Sequence, residues 1–199
     1  MLETANSLRI GPDSDGQPMS LDDFARSEGE PGYVYELNRG VVVVVRVPGM
    51  PHGRNVRVFM KSLEAYDTDH PGVIDYIAGG SNTAVRMPKM QTERHPDVSV
   101  YLLRPPVDSD QPWDFWTPDI VIEVVSKGGE RRDYDEKRDD YLAAGVRLYW
   151  IVDPRRRTIT VLTRQGDAWS EQVLDEHAAL TTPLLPGFEL PLARVIATQ

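Results

Sequence analysis

The spacing of hydrophobic residues changes along the chain between a period of two and a helical period, and each change marks a predicted element. Val56, Phe59 and Leu63 recur at helical intervals and predict a helix over residues 53–67. A strongly charged segment that ends in two alanines and a glycine predicts a second helix over residues 130–144. Alternating or β-branched runs predict strands within residues 33–38, 41–47, 73–78, 82–87, 95–103, 118–126, 146–154, 158–164 and 168–174.

The N-terminal end of the chain differs in character from the rest. Residues 1–18 are polar, rich in Gly, Pro, Asp and Ser, and without periodicity, which predicts a flexible N-terminal tail. Ser20 is a helix-capping residue and predicts a short helix closed by Gly29. Residues 19–199 are expected to form a single domain of the α/β (mixed) class, with a central mixed sheet, flanking helices and additional β-hairpins.

The composition of the chain excludes several kinds of functional site and protein class. The chain has 199 residues and no cysteine, which excludes a disulfide scaffold, a thiolate zinc site and a cysteine nucleophile. Its net charge of −9 argues against a nucleic-acid-coating protein, but not against a nuclease, because bound divalent cations reverse the local charge of an acidic pocket. The longest apolar run, 41–45, is too short to cross a membrane and the first residues lack a signal-peptide pattern, so a cytoplasmic protein is expected.

One carboxylate interrupts a strand that is otherwise β-branched. Glu123 lies in the middle of the run VIEVV, and a buried carboxylate needs a partner. The partner is a basic side chain, a set of backbone donors or a metal ion. The nearest candidates on other segments are Asp97 and Lys137, and two carboxylates with one lysine form the set that metal-dependent hydrolysis of a phosphodiester requires.

Two Pro-Asp pairs compete for the role of the second carboxylate. Asp119 lies four residues before Glu123 on the same strand, so their Cα atoms are about 13 Å apart and the two cannot share one ion. Asp97 lies on another strand. If the two strands are neighbours, they lie about 4.8 Å apart and Asp97 can meet Glu123 at one cation. Asp97 is therefore the predicted ligand, and Asp119 is expected to mark the strand entrance.

The ordered set of motifs resembles the PD-(D/E)XK nuclease core and, in its details, the Uma-two family of restriction-endonuclease-like proteins. The resemblance covers nearly all of the chain after residue 19 and implies a restriction-endonuclease-like fold. It is carried by YELNRG at 35–40, His52 before a helix, HPDVSVYL at 95–102, PDIVIEVVS at 118–126, Asp133 with Lys137, YLAAGVRLYWIVDP at 141–154 and LLPGFELPL at 184–192.

The resemblance implies a role for each site residue. Asp97 matches the Asp of the PD signature and Glu123 the acid of the (D/E)XK signature, and the main-chain carbonyl of Val124 is implied as a further ligand of Mg2+ or Mn2+. Lys137 matches a lysine on the following helix that reaches back into the pocket to activate water or stabilise the phosphate. Glu36 matches a further acid that holds a second ion or orients water.

The sequence also departs from the family pattern at two positions. Val125 stands where nucleases of this fold usually carry the signature lysine, and Val42 stands where relatives commonly have an acid. The first departure leaves the lysine function to Lys137. The second puts in doubt any two-metal scheme that needs an acid at position 42.

The predicted function is a magnesium- or manganese-dependent endonuclease that hydrolyses DNA phosphodiester bonds. The main alternative is a catalytically inactive nuclease-fold module for nucleic-acid or protein interaction, and a third keeps the chemistry with RNA or a smaller phosphodiester. The apolar segment at 184–192 predicts a two-fold contact and a homodimer. Less specific interpretations stay open: Asp97 as a turn cap, Lys137 paired with Asp133 on a solvated helix face, Glu36 as an exposed acid, His52 as a surface or capping residue, and Trp113 and Trp116 as packing residues.

Overall fold

The computed structural model describes residues 8–109 and 112–196. Its strands are β1 (Leu8–Ile10), β2 (Ser27–Gly29), β3 (Tyr33–Asn38), β4 (Val41–Arg46), β5 (Tyr76–Ala78), β6 (Val85–Met87), β7 (Thr92–Arg94), β8 (Val98–Tyr101), β9 (Ile120–Val124), β10 (Leu148–Asp153), β11 (Thr158–Gln165), β12 (Ala168–Asp175), β13 (Ala179–Thr182) and β14 (Leu185–Pro191). Its helices are α1 (Leu21–Ala25), α2 (Met50–Asp69), α3 (Lys137–Ala144) and α4 (Leu192–Ile196), and a π-helical turn, Arg132–Glu136, leads into α3.

A six-stranded sheet forms the centre of the molecule. Its strand order is β12-β11-β10-β9-β8-β5, with β9 and β10 parallel and the other neighbours antiparallel. Helix α2 packs on one face of this sheet, and α3 packs on the other. The predicted mixed α/β class is confirmed. In the part of the chain that the structure describes, no helix is both long and apolar enough to cross a membrane.

Successive residues of β9 point to opposite faces of the central sheet, as the period of two requires. Ile122 packs in the core cluster that contains residues of α2, whereas Val121 and Val125 pack in the cluster that contains Tyr141 of α3. Glu123 therefore lies on the α3 face. Val125 lies on the same face and packs in the apolar cluster there, at the position where the family pattern has its lysine.

A second sheet of four strands stands beside the first, with the order β4-β3-β7-β6. The hairpin of β3 and β4 follows the prediction around Gly40, which adopts a positive φ of 76°. Strand β7 was not expected from the sequence, because its three residues Thr-Glu-Arg are polar and show no hydrophobic period. All three are nevertheless buried; Arg94 pairs with the buried Glu36, and Glu93 pairs with the partly buried Arg86.

The N-terminal prediction needs correction over residues 8–18. Strand β1 pairs in parallel with β2, and Ile10 is buried in a cluster with Phe24 and Leu37. Backbone hydrogen bonds also join Gly16 and Gln17 to Val42. These residues are therefore part of the folded unit rather than a tail, while residues 1–7 and 197–199 lie outside the described residues.

The bounds of the helices also differ from those predicted. Helix α1 ends at Ala25 because the following residues enter β2, so the predicted helix up to Gly29 is too long. Helix α2 begins three residues earlier than predicted, since Pro51 is tolerated in a first helical turn. The predicted helix over 130–144 divides into the π-helical turn and α3, and ends at Gly145 with a φ of 95°.

The C-terminal segment packs into the core. Leu185, Phe188 and Leu190 of β14 are buried and join the cluster on the α2 face of the central sheet. The apolar residues at 184–192, from which a homodimer was predicted, are thus largely used inside one chain. They no longer provide a reason for a two-fold contact.

Candidate active site

The two predicted carboxylate ligands lie opposite each other on neighbouring strands. Val98 of β8 pairs with Ile122 of β9 in an antiparallel register, so the next pair outward is Asp97 and Glu123. The prediction of a shared site required the two strands to be neighbours, and they are. The Oδ2 atom of Asp97 accepts a hydrogen bond from the backbone N–H of Val124 at 2.7 Å, which ties the two strand ends together.

Glu123 is buried, with 3% of its surface exposed. Its Oε1 atom accepts a hydrogen bond from Lys137 Nζ at 2.7 Å and another from the Tyr141 hydroxyl at 2.5 Å. Burial raises the pKa of Glu123 to about 8, and the nearby charges of Asp97 and Asp133 act in the same direction against the effect of Lys137. The carboxylate therefore stands in a site where negative charge is in excess.

Lys137 lies among the carboxylates rather than in solvent. It is 4% exposed, and its Nζ atom is 2.7 Å from Glu123 and 3.0 Å from Glu36, with Asp133 at 3.9 Å. These carboxylates outweigh the effect of burial and raise the pKa of Lys137 above its ordinary value. The predicted convergence of Lys137 and Glu123 is observed, and the alternative of a solvated Lys137–Asp133 pair is wrong because both residues are buried.

The π-helical turn places Lys137. The backbone N–H of Lys137 bonds to the carbonyl of Arg132, five residues back, instead of four as in an α-helix. This wider turn lies directly over the α3 face of β9, to which Glu123 also points. Lys137 therefore reaches the site from the helix. In the family pattern, a lysine at position 125 would reach the same site from the strand.

Glu36 enters the site from the second sheet. Its Oε2 atom accepts a hydrogen bond from Arg94 Nη1 at 3.0 Å, and its Oε1 atom faces Lys137. Burial alone would raise the pKa of Glu36, but the charges of Lys137 and Arg94 hold it well below its usual range. The alternative of an exposed Glu36 is wrong, since the residue is 3% exposed.

Arg94 is a site residue that the sequence did not indicate. It is fully buried and joins two carboxylates, Glu36 at 3.0 Å and Asp140 at 2.7 Å. Arg94 thus fixes the position of Glu36 from the side opposite Lys137. The only signal in the sequence was an arginine in the polar stretch before Asp97, which resembles many solvated turns.

His52 is the second residue that sequence reasoning placed elsewhere. It lies in the first turn of α2, where its Nε2 atom is 3.0 Å from Oδ2 of Asp97, and the backbone of Val124 is close enough to raise its pKa as well. Burial alone would lower its pKa, but the hydrogen bond and charge of Asp97 outweigh this and raise it. His52 is therefore in contact with two of the three predicted ligand positions, and the interpretation as a surface residue is wrong.

Two other groups lie outside this site, as the sequence suggested. Asp119 accepts a hydrogen bond from the backbone of Leu102 at 2.8 Å and pairs with Arg147 at 3.1 Å, so it closes the entrance of β9. Trp116 packs on Tyr101 with ring centroids 3.9 Å apart and donates to the carbonyl of Leu103. Its packing, rather than base stacking, accounts for its position.

We call the space between the site residues the acidic cavity. Its volume is about 70 Å³, and the carboxylates that border it are Glu36, Asp97, Glu123 and Asp133. Within the described residues, no group of three or more His, Asp or Glu side chains is already arranged to hold a metal ion. The predicted set has only two side-chain carboxylates, with a main-chain carbonyl as the third donor. Such oxygen donors, in a site with excess negative charge, fit Mg2+ or Mn2+ in kind.

A larger opening, which we call the basic cleft, adjoins the acidic cavity. Its volume is about 810 Å³, and the cationic residues that border it are Arg46, Lys127, Arg132 and Arg155. The described residues that line it include no Asp or Glu. The cleft and the cavity share a wall that contains His52, Val124 and Arg132. The cavity thus communicates with the cleft.

The fold and the site together define a nuclease-like α/β protein: a mixed sheet presents two carboxylates from neighbouring strands, and the helix that covers them supplies a lysine. The chain belongs to the Uma2 family, described as "Putative restriction endonuclease", whose model matches residues 21–193. The membership predicted from the motifs is confirmed. The family description indicates a nuclease.

A solved structure shows the same fold. It is a crystal structure from Anabaena variabilis described as "a putative nuclease belonging to DUF820". The match has a TM-score of 0.72 at 18% sequence identity and covers 91% of this chain and 99% of the other. The restriction-endonuclease-like architecture predicted from the sequence agrees with this neighbour. No curated protein matches the chain.

Proposed function

We propose that this chain is an endonuclease that hydrolyses DNA phosphodiester bonds with Mg2+ or Mn2+ held by Asp97, Glu123 and the main-chain carbonyl of Val124. The observation that carries the proposal is the meeting of two carboxylates and Lys137 in one buried cavity. Hard oxygen donors of this kind suit either ion. When bound, the ion polarises the phosphate and acidifies a water molecule.

The chain's own residues then have distinct tasks. Asp97 and Glu123 supply negative charge on one face of the sheet, and the backbone N–H of Val124 orients Asp97. Lys137 is held as an ammonium group between carboxylates, and we assign it to stabilising the charge that develops on the phosphate. Glu36, fixed by Arg94, supports Lys137 and orients water.

The test is cleavage of a supercoiled plasmid by the wild type in Mg2+, in Mn2+ and in EDTA. We expect nicking in either metal and none in EDTA. The Glu123→Gln variant should lose at least about 100-fold in rate, because metal chemistry contributes several kcal/mol to such a reaction. Glu171→Gln is the matched control, since Glu171 is on β12 and its charge pairs with Arg138 away from the cavity.

One observation supports a second candidate, a catalytically inactive module. Lys137 and Tyr141 both donate hydrogen bonds to Oε1 of Glu123, so this oxygen has its partners without a metal. Calorimetry separates the candidates: a wild type that binds neither Mg2+ nor Mn2+ and leaves the plasmid intact is the inactive module. A homodimer and a cytoplasmic location remain proposals, and sedimentation of the purified chain and cell fractionation test them.

A further inference from the structure

The charge of the basic cleft contrasts with that of the whole chain. The chain has a net charge of −9, yet the described residues that line the cleft include four Arg or Lys and no Asp or Glu. The cations come from four separate segments: the end of β4, the loop after β9, the π-helical turn, and the turn after β10. A cleft of one sign with mostly apolar walls concentrates ligands of the opposite sign.

The cations of the cleft are available to a ligand. Arg46 and Lys127 are exposed and make no ion pair with the described residues. Arg155 pairs with the partly exposed Glu130, at 3.2 Å. Arg132 lies deeper: its side chain is 20% exposed, and its Nε atom is buried without a hydrogen-bond partner among the described residues. A phosphate oxygen is a strong acceptor for the exposed guanidinium and ammonium groups of the cleft.

The position of Arg132 connects this cleft to the reaction. Arg132 borders both the basic cleft and the acidic cavity, and its Nε atom is 4.0 Å from Asp133. Glu123 and Lys137 are 3% and 4% exposed, so a phosphate reaches them only by leaving the cleft and entering the cavity. A cavity of about 70 Å³ accepts a phosphate group but not a nucleoside.

This depth distinguishes a single strand from a duplex. In a duplex, pairing and stacking fix each phosphate on the surface of the helix, so moving one phosphate into a recess costs the energy of deforming the duplex. The bonds of a single strand rotate freely enough to make this movement. The cleft volume of about 810 Å³ is in the range of about 300–1,000 Å³ that encloses a small ligand, so it fits a few nucleotides of one strand.

We infer that the basic cleft binds single-stranded DNA through its phosphates and delivers one of them to the acidic cavity. The choice of DNA, and the reaction in the cavity, rest on the proposed function; the preference for one strand rests on the cleft. Among the described residues, the lining of the cleft includes no Phe, Tyr or Trp for base stacking, so the contacts are to the nucleic-acid backbone and independent of sequence.

The test measures binding without turnover, by fluorescence anisotropy in EDTA. The probes are a labelled 20-nucleotide single strand, the same strand in a duplex, and its RNA counterpart. We expect the wild type to bind the DNA strand at least ten-fold more tightly than the duplex. The double variant Arg46→Gln/Lys127→Gln should weaken this binding about ten-fold and lower the slope of log K against log salt by about 1.4, for two lost single-strand contacts.

Arg138→Gln is the matched control, because Arg138 pairs with Glu171 outside the cleft, and its binding should equal that of the wild type. Equal or tighter binding of the duplex, or a double variant that binds like the wild type, overturns the proposal. RNA bound ten-fold more tightly than DNA overturns the choice of DNA. Cleavage is scored separately: a strand preference without cleavage rejects the proposed function alone, and cleavage without a strand preference rejects the cleft proposal alone.

Discussion

The acidic cavity and the basic cleft share a wall but differ in the burial and pairing of their charged groups. The cavity is small, and most of its charged groups, among them Glu36, Glu123 and Lys137, are buried and paired with one another. The cleft is more than ten times larger by volume, about 810 Å³ against 70 Å³, and most of its cations face solvent. Buried, linked charges are costly to change one at a time, whereas exposed charges are nearly independent.

The two regions should therefore respond differently to substitution. A change in the cavity should alter stability, metal affinity and rate together, because each group there compensates another. A change in the cleft should alter only the affinity for the polyanion and its salt dependence.

The largest effect is expected for Lys137→Met. The substitution leaves Glu36 and Glu123 buried without their shared cation, which should lower the free energy of unfolding by about 3–5 kcal/mol and abolish cleavage. Urea unfolding and plasmid cleavage measure the two effects. Lys127→Met in the cleft is the control and should change the unfolding free energy by less than about 0.5 kcal/mol. Equal stabilities for the two variants would remove the distinction between cavity and cleft.

His52→Gln should affect metal binding more than folding. His52 contacts Asp97 and the backbone of Val124, and partners that orient metal ligands contribute about 10–100-fold in affinity. A calorimetric titration with Mn2+ should show a loss in that range. His70→Gln is the control, since His70 stacks on Tyr66 after the other end of α2. A Kd equal to that of the wild type would mean that His52 does not position Asp97.

Glu93 tests whether burial alone decides the titration of an acid here. Glu93 and Glu123 are similarly buried, yet Arg86 at 2.6 Å and His95 outweigh burial and lower the pKa of Glu93, whereas the pKa of Glu123 is raised. A lowered pKa stabilises the folded state above the ordinary pKa of glutamate, about 4.3, and this contribution is lost as the pH falls through the folded-state value.

The measurement is the free energy of unfolding of the wild type and Glu93→Gln between pH 6 and pH 3. The wild type should be more stable by about 1 kcal/mol at pH 6, and the difference should shrink below about pH 4 as the carboxylate is protonated. A difference that stays constant with pH would show that Glu93 has an ordinary pKa.

The smallest effect is expected for Arg155→Gln in the cleft. Arg155 already pairs with Glu130, so its loss should weaken binding of a DNA strand only about two-fold and leave the unfolding free energy unchanged. Anisotropy at two salt concentrations measures this. A loss of affinity as large as that of the Arg46→Gln/Lys127→Gln variant would mean that pairing with Glu130 does not reduce the contribution of Arg155 to DNA binding.

Much of the frame of the site could be predicted from the sequence. The β-branched run around Glu123 identified the strand, and the burial of a carboxylate there called for a partner. The two contributions that could not be predicted, Arg94 and His52, depend on contacts between distant segments. Arg94 belongs to a three-residue polar strand without any period, and the partner of His52 is 45 residues away in the chain.

The basic cleft could not be predicted for a related reason. Its cations at 46, 127, 132 and 155 come from four separate segments, and the short arginine runs at 131–132 and 155–157 do not by themselves show that these segments meet in one cleft. The N-terminal residues 8–18 were misassigned because Ile10 is the only one of them that is buried in a core cluster, and a single hydrophobic residue gives no pattern. Composition describes a segment's average, whereas packing depends on one side chain and its neighbours.

The π-helical turn Arg132–Glu136 makes the site sensitive to the number of residues in the chain, and not only to their identity. An α-helix advances by about 100° per residue, and the wider turn already absorbs one residue more than an α-helical turn holds, so inserting a further residue between Arg132 and Lys137 would swing the lysine to another side of its helix. Every residue of the site would still be present in such a chain. The lysine would nevertheless be out of reach of Glu123.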